Sequence, residues 1–198
     1  MFNDISSPLA LLATRRSGKP RNMIAPGPDA AQLRQLLAVA TRTPDHGKLF
    51  PWQLVVIDKE RRDDFAALLV SAYRAEKPDA GRLEVAAWEE FAHSAPMLVA
   101  VLSTPVAGSK IPLWEQQLSA GAVCMNIEHA AHAMGFVACW LTSWPAYSEA
   151  VLAALGGVPG KDKVAGYIFI GTAGKPLEER PRPEYDDVVR HWTPGGVA

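Results

Sequence analysis

One helical segment constrains the fold more than any other part of this 198-residue chain. It covers residues 113–135, "LWEQQLSAGAVCMNIEHAAHAMG", and Gly135 is a natural stop for it. From Ser119 to Ile127 the residues are mostly small and apolar around the whole circumference. A helix without a polar face is buried on all sides, and small side chains let another backbone approach closely. We therefore expect this helix inside a layered fold.

The remaining sequence alternates between helical and strand patterns. Ser7-Pro8 predicts a helix start, and Asp29 with Gln32 predicts a second one through a capping box. Further helical patterns lie at residues 59–76, 83–93 and 148–157, and strand patterns at 52–58, 97–104, 136–143 and 163–174. The first two strands read as buried, the second on both faces. About half of the residues are apolar, so residues 1–198 suit one domain of the α/β or α+β class.

Charge and cysteine usage narrow the classes of partner. The formal net charge is -1, so no overall field would attract nucleic acid or an anionic membrane. No run approaches the ~18 apolar residues of a membrane helix, and no leader pattern is recognisable at the amino end. Cys124 and Cys139 lie in apolar sequence without disulfide spacing. We interpret them as reduced, packed thiols of a cytoplasmic protein.

Three ligand motifs are absent or incomplete. "GGVPGKDK" (156–163) is one residue short of a phosphate loop and has Asp162 where a magnesium-binding hydroxyl should stand. No G-x-G-x-x-G follows a strand, which argues against a dinucleotide fold. His129 and His132 could share a metal, but no second carboxylate–histidine pair accompanies them. We expect no metal, and histidines that form hydrogen bonds at the polar edge of a buried helix.

Basic residues cluster at three separated places. "RRS" (15–17) ends the first helix, Arg42 leads into the turn "PDHGK", and Arg180 and Arg182 lie near the carboxyl end. Guanidinium groups bind phosphates through paired, charge-assisted hydrogen bonds. Because the chain has no overall positive charge, these clusters suggest convergence on one small anionic ligand.

Four motifs in a fixed order carry a family resemblance: "TRRSGK", "ATRTPDHGKLFPWQLVVID", "SAGAVCMNIEHAAHAMGF" with "ACWLTS", and "VAGYIFIGTAGKP". The chain resembles the FMN-dependent nitroreductase family, in particular the short bacterial NAD(P)H type, over essentially its whole length. The resemblance implies an α+β fold, a three-layer sandwich with a central mixed β-sheet flanked by helices. It also implies a homodimer with FMN at the interface and exchange of carboxyl-terminal arms.

The resemblance also implies residue roles. Arg15, Arg16 and Ser17 would hold the FMN phosphate and ribityl chain, completed by Gly171 and by Arg180 or Arg182. Arg42 would approach the polar edge of the flavin, and the turn would line the cofactor through Pro44, Asp45, His46 and Lys48, with His46 serving the partner subunit. Trp140, Leu141 and Thr142 would lie along the isoalloxazine, and residues 130–135 match a stretch associated with the nicotinamide nucleotide.

The implied chemistry is reduction of a nitro or quinone-type acceptor by NADH or NADPH in a ping-pong cycle. Arg42 and Lys48 would stabilise negative charge on the reduced flavin, and His46 would orient ligands or supply a proton. A second interpretation of His46 is a turn-stabilising bond to Asp45. Trp88, Trp140 and Trp144 could form an aromatic wall, or pack in the core.

Two residues depart from the family pattern, and two alternative functions stay open. Phe50 stands where the family commonly has Gln, and Leu141 where close relatives carry Arg. Both could alter the flavin's hydrogen bonds or the substrate pocket. The same fold could support another flavin reaction, such as dehalogenation, dehydrogenation or flavin breakdown. It could also be a non-catalytic FMN-binding module.

Overall fold

The computed structural model describes residues 1–194 and, for the backbone alone, residues 196 and 197. The helices are α1 (Pro8–Thr14), α2 (Ala30–Ala40), α3 (Arg62–Glu76), α4 (Arg82–His93), α5 (Leu113–Ala133), α6 (Glu149–Ala154) and α7 (Tyr185–Val188). The strands are β1 (Met23–Ile24), β2 (Trp52–Ile57), β3 (Met97–Ser103), β4 (Val137–Leu141), β5 (Lys163–Ala173), β6 (Trp192–Thr193) and β7 (Gly196–Val197). Among the described residues, no helix combines the length and the apolar character that a membrane span requires.

The predicted helix starts are confirmed in atomic detail. The Ser7 hydroxyl accepts a hydrogen bond from the backbone N–H of Ala10, which caps α1. At α2 the Asp29 carboxylate accepts from the backbone N–H of Gln32 at 2.8 Å, and the Gln32 side chain accepts from the backbone N–H of Asp29 at 3.0 Å. Each bond satisfies a backbone donor that the first helical turn leaves open. Local sequence is sufficient for these boundaries.

Strand pairing confirms the α+β class but corrects one detail. The sheet order is β1-β5-β3-β2, and β4 also pairs with β5. Among the described residues every pairing is antiparallel, so the prediction of a mixed sheet is wrong. The reason is visible between β4 and β5: the segment containing α6 returns the chain to the end of the sheet where β4 stopped. The next strand therefore runs back beside β4 instead of crossing over.

The sheet separates two cores. In β3, Leu98, Ala100 and Leu102 pack in one core, while Val99 and Val101 pack in the other. The first core also contains side chains of α3, α4 and α6, and the second those of α2 and α5. These five of the seven β3 side chains are fully buried, which confirms the expectation of a strand covered on both faces. The result is a three-layer arrangement of helices, sheet and helices.

Strand β2 is less buried than its apolar sequence predicts. Trp52 and Ile57 at its ends are buried, but the residues between them are exposed or half-buried. The prediction of a buried strand is wrong because, among the described residues, β2 pairs with β3 alone and forms the edge of the sheet. A residue run that looks like a central strand therefore ends up at the border of the fold.

Helix α5 is buried on one side only in the single chain. Ala120, Val123 and Ile127 lie in the second core, whereas Trp114 is 67% exposed and Leu118 is 52% exposed. The segment 119–127, for which burial on all sides was expected, consists of buried and half-buried residues and contains no exposed one. Complete burial is therefore not reached in one chain, and the exposed side chains lie nearer the amino-terminal end of the helix. An apolar helix face remains open to solvent.

Candidate functional site

The segment "RRS" is held rigidly where α1 ends. The Asn3 side chain binds both backbone groups of Arg16. Its Oδ1 accepts a hydrogen bond from the Arg16 N–H at 2.7 Å, and its Nδ2 donates one to the Arg16 carbonyl at 3.3 Å. The backbone N–H of Gly18 donates to the carbonyl of Ala138 in β4 at 3.1 Å. These bonds fix both ends of Arg15–Ser17, which we call the amino-terminal clamp, against the end of the sheet.

A buried carboxylate of α5 completes the clamp. Ser17 Oγ donates to Glu128 Oε1 at 3.0 Å, and Arg15 Nη1 donates to Ser17 Oγ at 3.2 Å. Arg15 Nη1 also lies 3.7 Å from Glu128 Oε2. Burial raises the pKa of Glu128, although its hydrogen bonds with Ser17 and the backbone N–H of Trp140 and the charge of Arg15 oppose this. Sequence reasoning missed Glu128, since only the fold brings it beside the clamp.

A pocket of about 290 Å³ opens next to the clamp. It lies between the loop that follows Arg16 and the segment 173–178. Arg16 Nε donates to the Glu178 carbonyl at 2.6 Å, and Lys19 Nζ lies 2.9 Å from Glu178 Oε2. With Lys175 the lining carries three cations against one carboxylate, which suits an anionic ligand. Lys19 and Lys175 were missed, although both lie inside the motifs "TRRSGK" and "GTAGKP".

The turn at residues 43–50 is folded by Asp45. Its carboxylate accepts backbone hydrogen bonds from Leu49 at 3.2 Å and from Phe50 at 2.9 Å. Those bonds hold Lys48 and Phe50 at positive φ, a conformation that residues other than glycine rarely adopt. His46 does not bond to Asp45: its Nδ1 lies 2.8 Å from Glu115 Oε2, and both side chains are exposed. The interpretation of His46 as a partner of Asp45 is therefore wrong.

The turn and the clamp lie on different parts of α5. Asn126 Nδ2 donates to Thr43 Oγ1 at 2.7 Å, and Glu128, two residues further on, lies about 200° around the helix. Glu115, which pairs with His46, lies 13 residues before Glu128, about 20 Å along the axis. Within one chain, therefore, the turn with Arg42, His46 and Lys48 does not join the clamp. The expected convergence of basic clusters on one ligand does not occur inside a single chain.

Trp140 lies on the clamp side of α5. Its indole Nε1 donates to the Ala165 carbonyl at 3.0 Å, and its ring lies against Gly121 and Gly166. Gly121 precedes Glu128 by seven residues, which places both on one face of the helix. Trp140 is also partly exposed, so its ring is available to a planar ligand.

The other residues of this strand end have mixed environments. Leu141 packs against the first core and lines a shallow cavity of about 350 Å³ together with Lys19, whereas Thr142 is exposed. Trp88 and Trp144 contact each other and Tyr73, with ring centroids 4.7 to 5.3 Å apart. They form an aromatic cluster of the core, so the wall interpretation is wrong for these two.

Several other expected site residues lie elsewhere. Gly171 is buried in β5, where an added Cβ would lie 2.7 Å from Pro96 Cδ, so this glycine serves packing and does not line the pocket. Of residues 130–135, the first three are buried, whereas Ala133 and Gly135 are exposed and Met134 is half-buried. His132 is in the core instead of at a polar edge. Arg180 is exposed, and Arg182 lies 3.6 Å from Glu179. Neither arginine has an interaction with the clamp among the described residues.

Cysteine and metal chemistry receive no support as functions of this site. Cys124 and Cys139 are free and buried, and burial raises the pKa of each thiol to about 12. They are packed thiols, as predicted. Within residues 1–194, no group of three or more histidine, cysteine, aspartate or glutamate side chains is arranged to hold a metal ion.

Known proteins match both the sequence and the fold. The profile of the Nitroreductase family matches residues 12–172. A Haemophilus influenzae protein named "Putative NAD(P)H nitroreductase" is 35% identical over 88% of this chain and 92% of its own length. The Escherichia coli protein "Putative NAD(P)H nitroreductase YdjA" is 34% identical over 83% of this chain and 87% of its own.

Solved structures agree on the fold. A nitroreductase-like family protein from Bacillus cereus has a TM-score of 0.76 at 20% identity and covers 93% of this chain and 95% of its own. A Desulfovibrio desulfuricans protein, named "a putative nitroreductase" and solved in complex with FMN, has a TM-score of 0.71 at 19% identity, with 96% of this chain and 99% of its own covered. At such identities the likeness concerns the fold alone.

Proposed function

Because the chain belongs to the nitroreductase family, we propose that it is an FMN-dependent oxidoreductase. It takes electrons from NADH or NADPH and reduces nitro or quinone-type acceptors by a ping-pong mechanism. Relatives named as NAD(P)H nitroreductases and a structural neighbour in complex with FMN support this proposal. The observation that carries it is the cationic pocket beside the amino-terminal clamp. Both cysteines are free and buried, which supports a cytoplasmic location.

The clamp and pocket fit the phosphate end of FMN. Arg15, Arg16 and Ser17 offer guanidinium and hydroxyl donors on a fixed loop, and Lys19 and Lys175 add charge at the pocket wall. Hydrogen bonds to charged groups contribute about 1.5–3 kcal/mol each. The ring of Trp140 lies on the same side of α5 and would flank the isoalloxazine. FMN, when bound, supplies the hydride chemistry, so the protein needs no nucleophile of its own.

A homodimer would bring the turn to the clamp. Arg42, His46 and Lys48 cannot reach the clamp of their own chain, but the same groups of a second copy could stabilise negative charge on the reduced flavin. Three exposed apolar surfaces support such a dimer: Trp114 and Leu118 on α5, Leu9 and Leu12 on α1, and Tyr185, Val188 and Trp192 in the carboxyl-terminal arm. Patches of this kind on a globular chain are typical of interfaces.

Oligomeric state can be tested on the open face of α5. Leu118→Glu places a charge in the proposed interface and should convert the dimer into a monomer in light scattering after size exclusion. Leu83→Glu is the matched control, since Leu83 is an exposed leucine of α4, away from that face. Unchanged dimers in Leu118→Glu, or a wild-type protein that is monomeric at micromolar concentration, would contradict the proposed interface.

Flavin spectroscopy tests the activity. The purified protein should be yellow or become so with FMN, should bleach anaerobically with NADH or NADPH, and should regain colour when nitrofurazone or menadione is added. Bound FMN that neither nucleotide reduces would indicate a non-catalytic module. Reduction without reoxidation by either acceptor would indicate another flavin reaction. A protein that stays colourless with FMN would refute the cofactor.

Substitutions in the clamp test the phosphate site. Arg15→Ala and Arg16→Ala should each weaken FMN binding about 10- to 100-fold, which corresponds to the loss of one charge-assisted hydrogen bond. Arg34→Ala, an exposed arginine on α2, is the control and should leave the affinity unchanged. Riboflavin, which lacks the phosphate, should bind all three variants alike. Unchanged FMN affinity in both clamp variants would remove these arginines from the site.

A further inference from the structure

Glu128 presents a problem for the clamp as a phosphate site. It is 4% exposed, and Ser17 gives it the one proton that a hydroxyl can donate. While that bond exists, Ser17 has no proton to offer to a phosphate oxygen. The guanidinium of Arg15 is also shared between Ser17 and the Glu128 carboxylate. The clamp that should receive an anion is therefore already occupied by one.

We propose that Glu128 is a positioning residue that takes up one proton when the FMN phosphate binds to the clamp. This inference rests on the proposed function. The proton comes from the solvent and binds to Glu128 Oε1. The neutral acid then donates to Ser17 Oγ, and Ser17 turns its own proton to a phosphate oxygen. Arg15 remains a donor to Ser17 and directs its full charge to the phosphate.

Electrostatics favours this exchange. A phosphate dianion beside a buried carboxylate repels it, and protonation of the carboxylate removes that repulsion. Burial already raises the pKa of Glu128 in the cofactor-free protein, so less free energy is needed to protonate it than an exposed carboxylate would require. The Ser17 hydroxyl can reverse its role because it has one proton and two acceptor lone pairs.

Among the titratable groups around it, Glu128 is the one that can take up a proton when the phosphate binds. Three kinds of titratable group surround Glu128. They are the arginines Arg15 and Arg16 on the loop, the histidines His129 and His132 on α5, and the cysteines Cys124 on α5 and Cys139 on β4. Arginines stay protonated at any working pH. Burial lowers the pKa of both histidines and raises the pKa of both thiols, so these groups stay neutral near pH 7.

Linkage fixes the sign of the effect. FMN binding raises the pKa of Glu128 further, so affinity should fall as pH rises from its pKa in the free protein to its higher pKa in the complex. One coupled proton changes the dissociation constant by at most about tenfold per pH unit. Glu128→Gln mimics the neutral acid, since its amide donates to Ser17 at every pH. This variant should bind FMN with the affinity that the wild type shows only at low pH.

The experiment compares FMN and riboflavin binding by fluorescence quenching from pH 5 to 9 in phosphate-free buffers. The wild type should lose FMN affinity with rising pH, and Glu128→Gln should lack that loss. The second ionisation of the FMN phosphate, near pH 6, affects both proteins and cancels in the comparison. Riboflavin should give the same pH profile with both proteins. Calorimetry of the wild type in two buffers of different ionisation enthalpy should show proton uptake.

The outcomes separate the inference from the proposed function. Equal pH slopes in wild type and Glu128→Gln, or calorimetry without proton uptake, would overturn the role of Glu128 while leaving FMN binding intact. If Glu128→Gln does not fold, the calorimetry of the wild type decides alone. Absence of FMN binding by the wild type would overturn both proposals.

Discussion

Acid should destabilise this protein through His132. The imidazole is fully buried in α5, and its Nε2 accepts a hydrogen bond from the backbone N–H of Ala138 at 3.3 Å. Protonation of Nε2 would place two donors against each other. Burial, and to a smaller extent the nearby charge of Arg15, lowers the pKa of His132 from 6.5 to about 4. The folded state therefore holds this side chain neutral where the unfolded chain would protonate it.

The size of the effect follows from these two values. A folded pKa below the unfolded one means that the unfolded state binds more protons, so stability falls as pH falls from 6.5 to about 4. The difference between these two pKa values corresponds to about 3 kcal/mol in the free energy of unfolding. About 2 kcal/mol of it is lost when the pH falls to 5. Glu128 acts with the opposite sign, because a raised carboxyl pKa adds stability as pH falls. A comparison with a His132 variant is therefore needed.

Urea unfolding at pH 7.5 and pH 5, followed by circular dichroism, measures this loss. His132→Gln is the matched variant, since its Oε1 can accept from Ala138 in place of Nε2 and does not titrate. The wild type should lose about 2 kcal/mol more than His132→Gln between the two pH values. Equal losses would refute the reasoning. So would an NMR titration in which His132 protonates near pH 6.5.

Three further predictions concern packing, the turn and a helix cap. Gly166→Ala should cost about 2–4 kcal/mol in thermal or urea unfolding, because its Cβ would lie 2.0 Å from Trp140 Nε1 and displace the ring; normal stability would contradict this. His46→Ala should lower turnover at least about tenfold but change stability by under about 1 kcal/mol, since its pair with Glu115 is exposed; equal effects on both would refute a role at the flavin. Asp29→Ala should lower the free energy of unfolding in urea by about 1 kcal/mol, and Asp29→Asn should lower it much less, because asparagine also caps helices. Equal losses in the two variants would argue against the capping bond.

Parts of the site could be predicted because their residues are contiguous. The clamp is three consecutive residues after a helix, and the turn at residues 43–50 is a local structure closed by one carboxylate, Asp45. The family motifs therefore point to both. Glu128 belongs to the same cluster as Ser17 but lies 111 residues away in sequence. No local pattern predicts such a contact, because it exists only after α5 and the loop dock against β4.

The same distinction applies to burial. The apolar composition of α5 is plain in the sequence, yet it cannot distinguish a helix buried within its own chain from one that keeps a face for a partner. The apolar run of β2 likewise does not reveal that this strand lies at the sheet edge. In both cases the missing information is which neighbours a segment receives, and neighbours are set by topology.

The starts of α1 and α2 with their capping residues, the strand that is covered on both faces and the family to which the chain belongs can all be read from the sequence. These depend on interactions between residues a few positions apart, or on motifs that occur in a fixed order. Three features become visible only in the folded chain: the antiparallel sheet, the placement of the clamp and the turn on different sides of α5, and the burial of Glu128 and His132. These depend on distant segments meeting in space, where burial and charge change what each side chain can do.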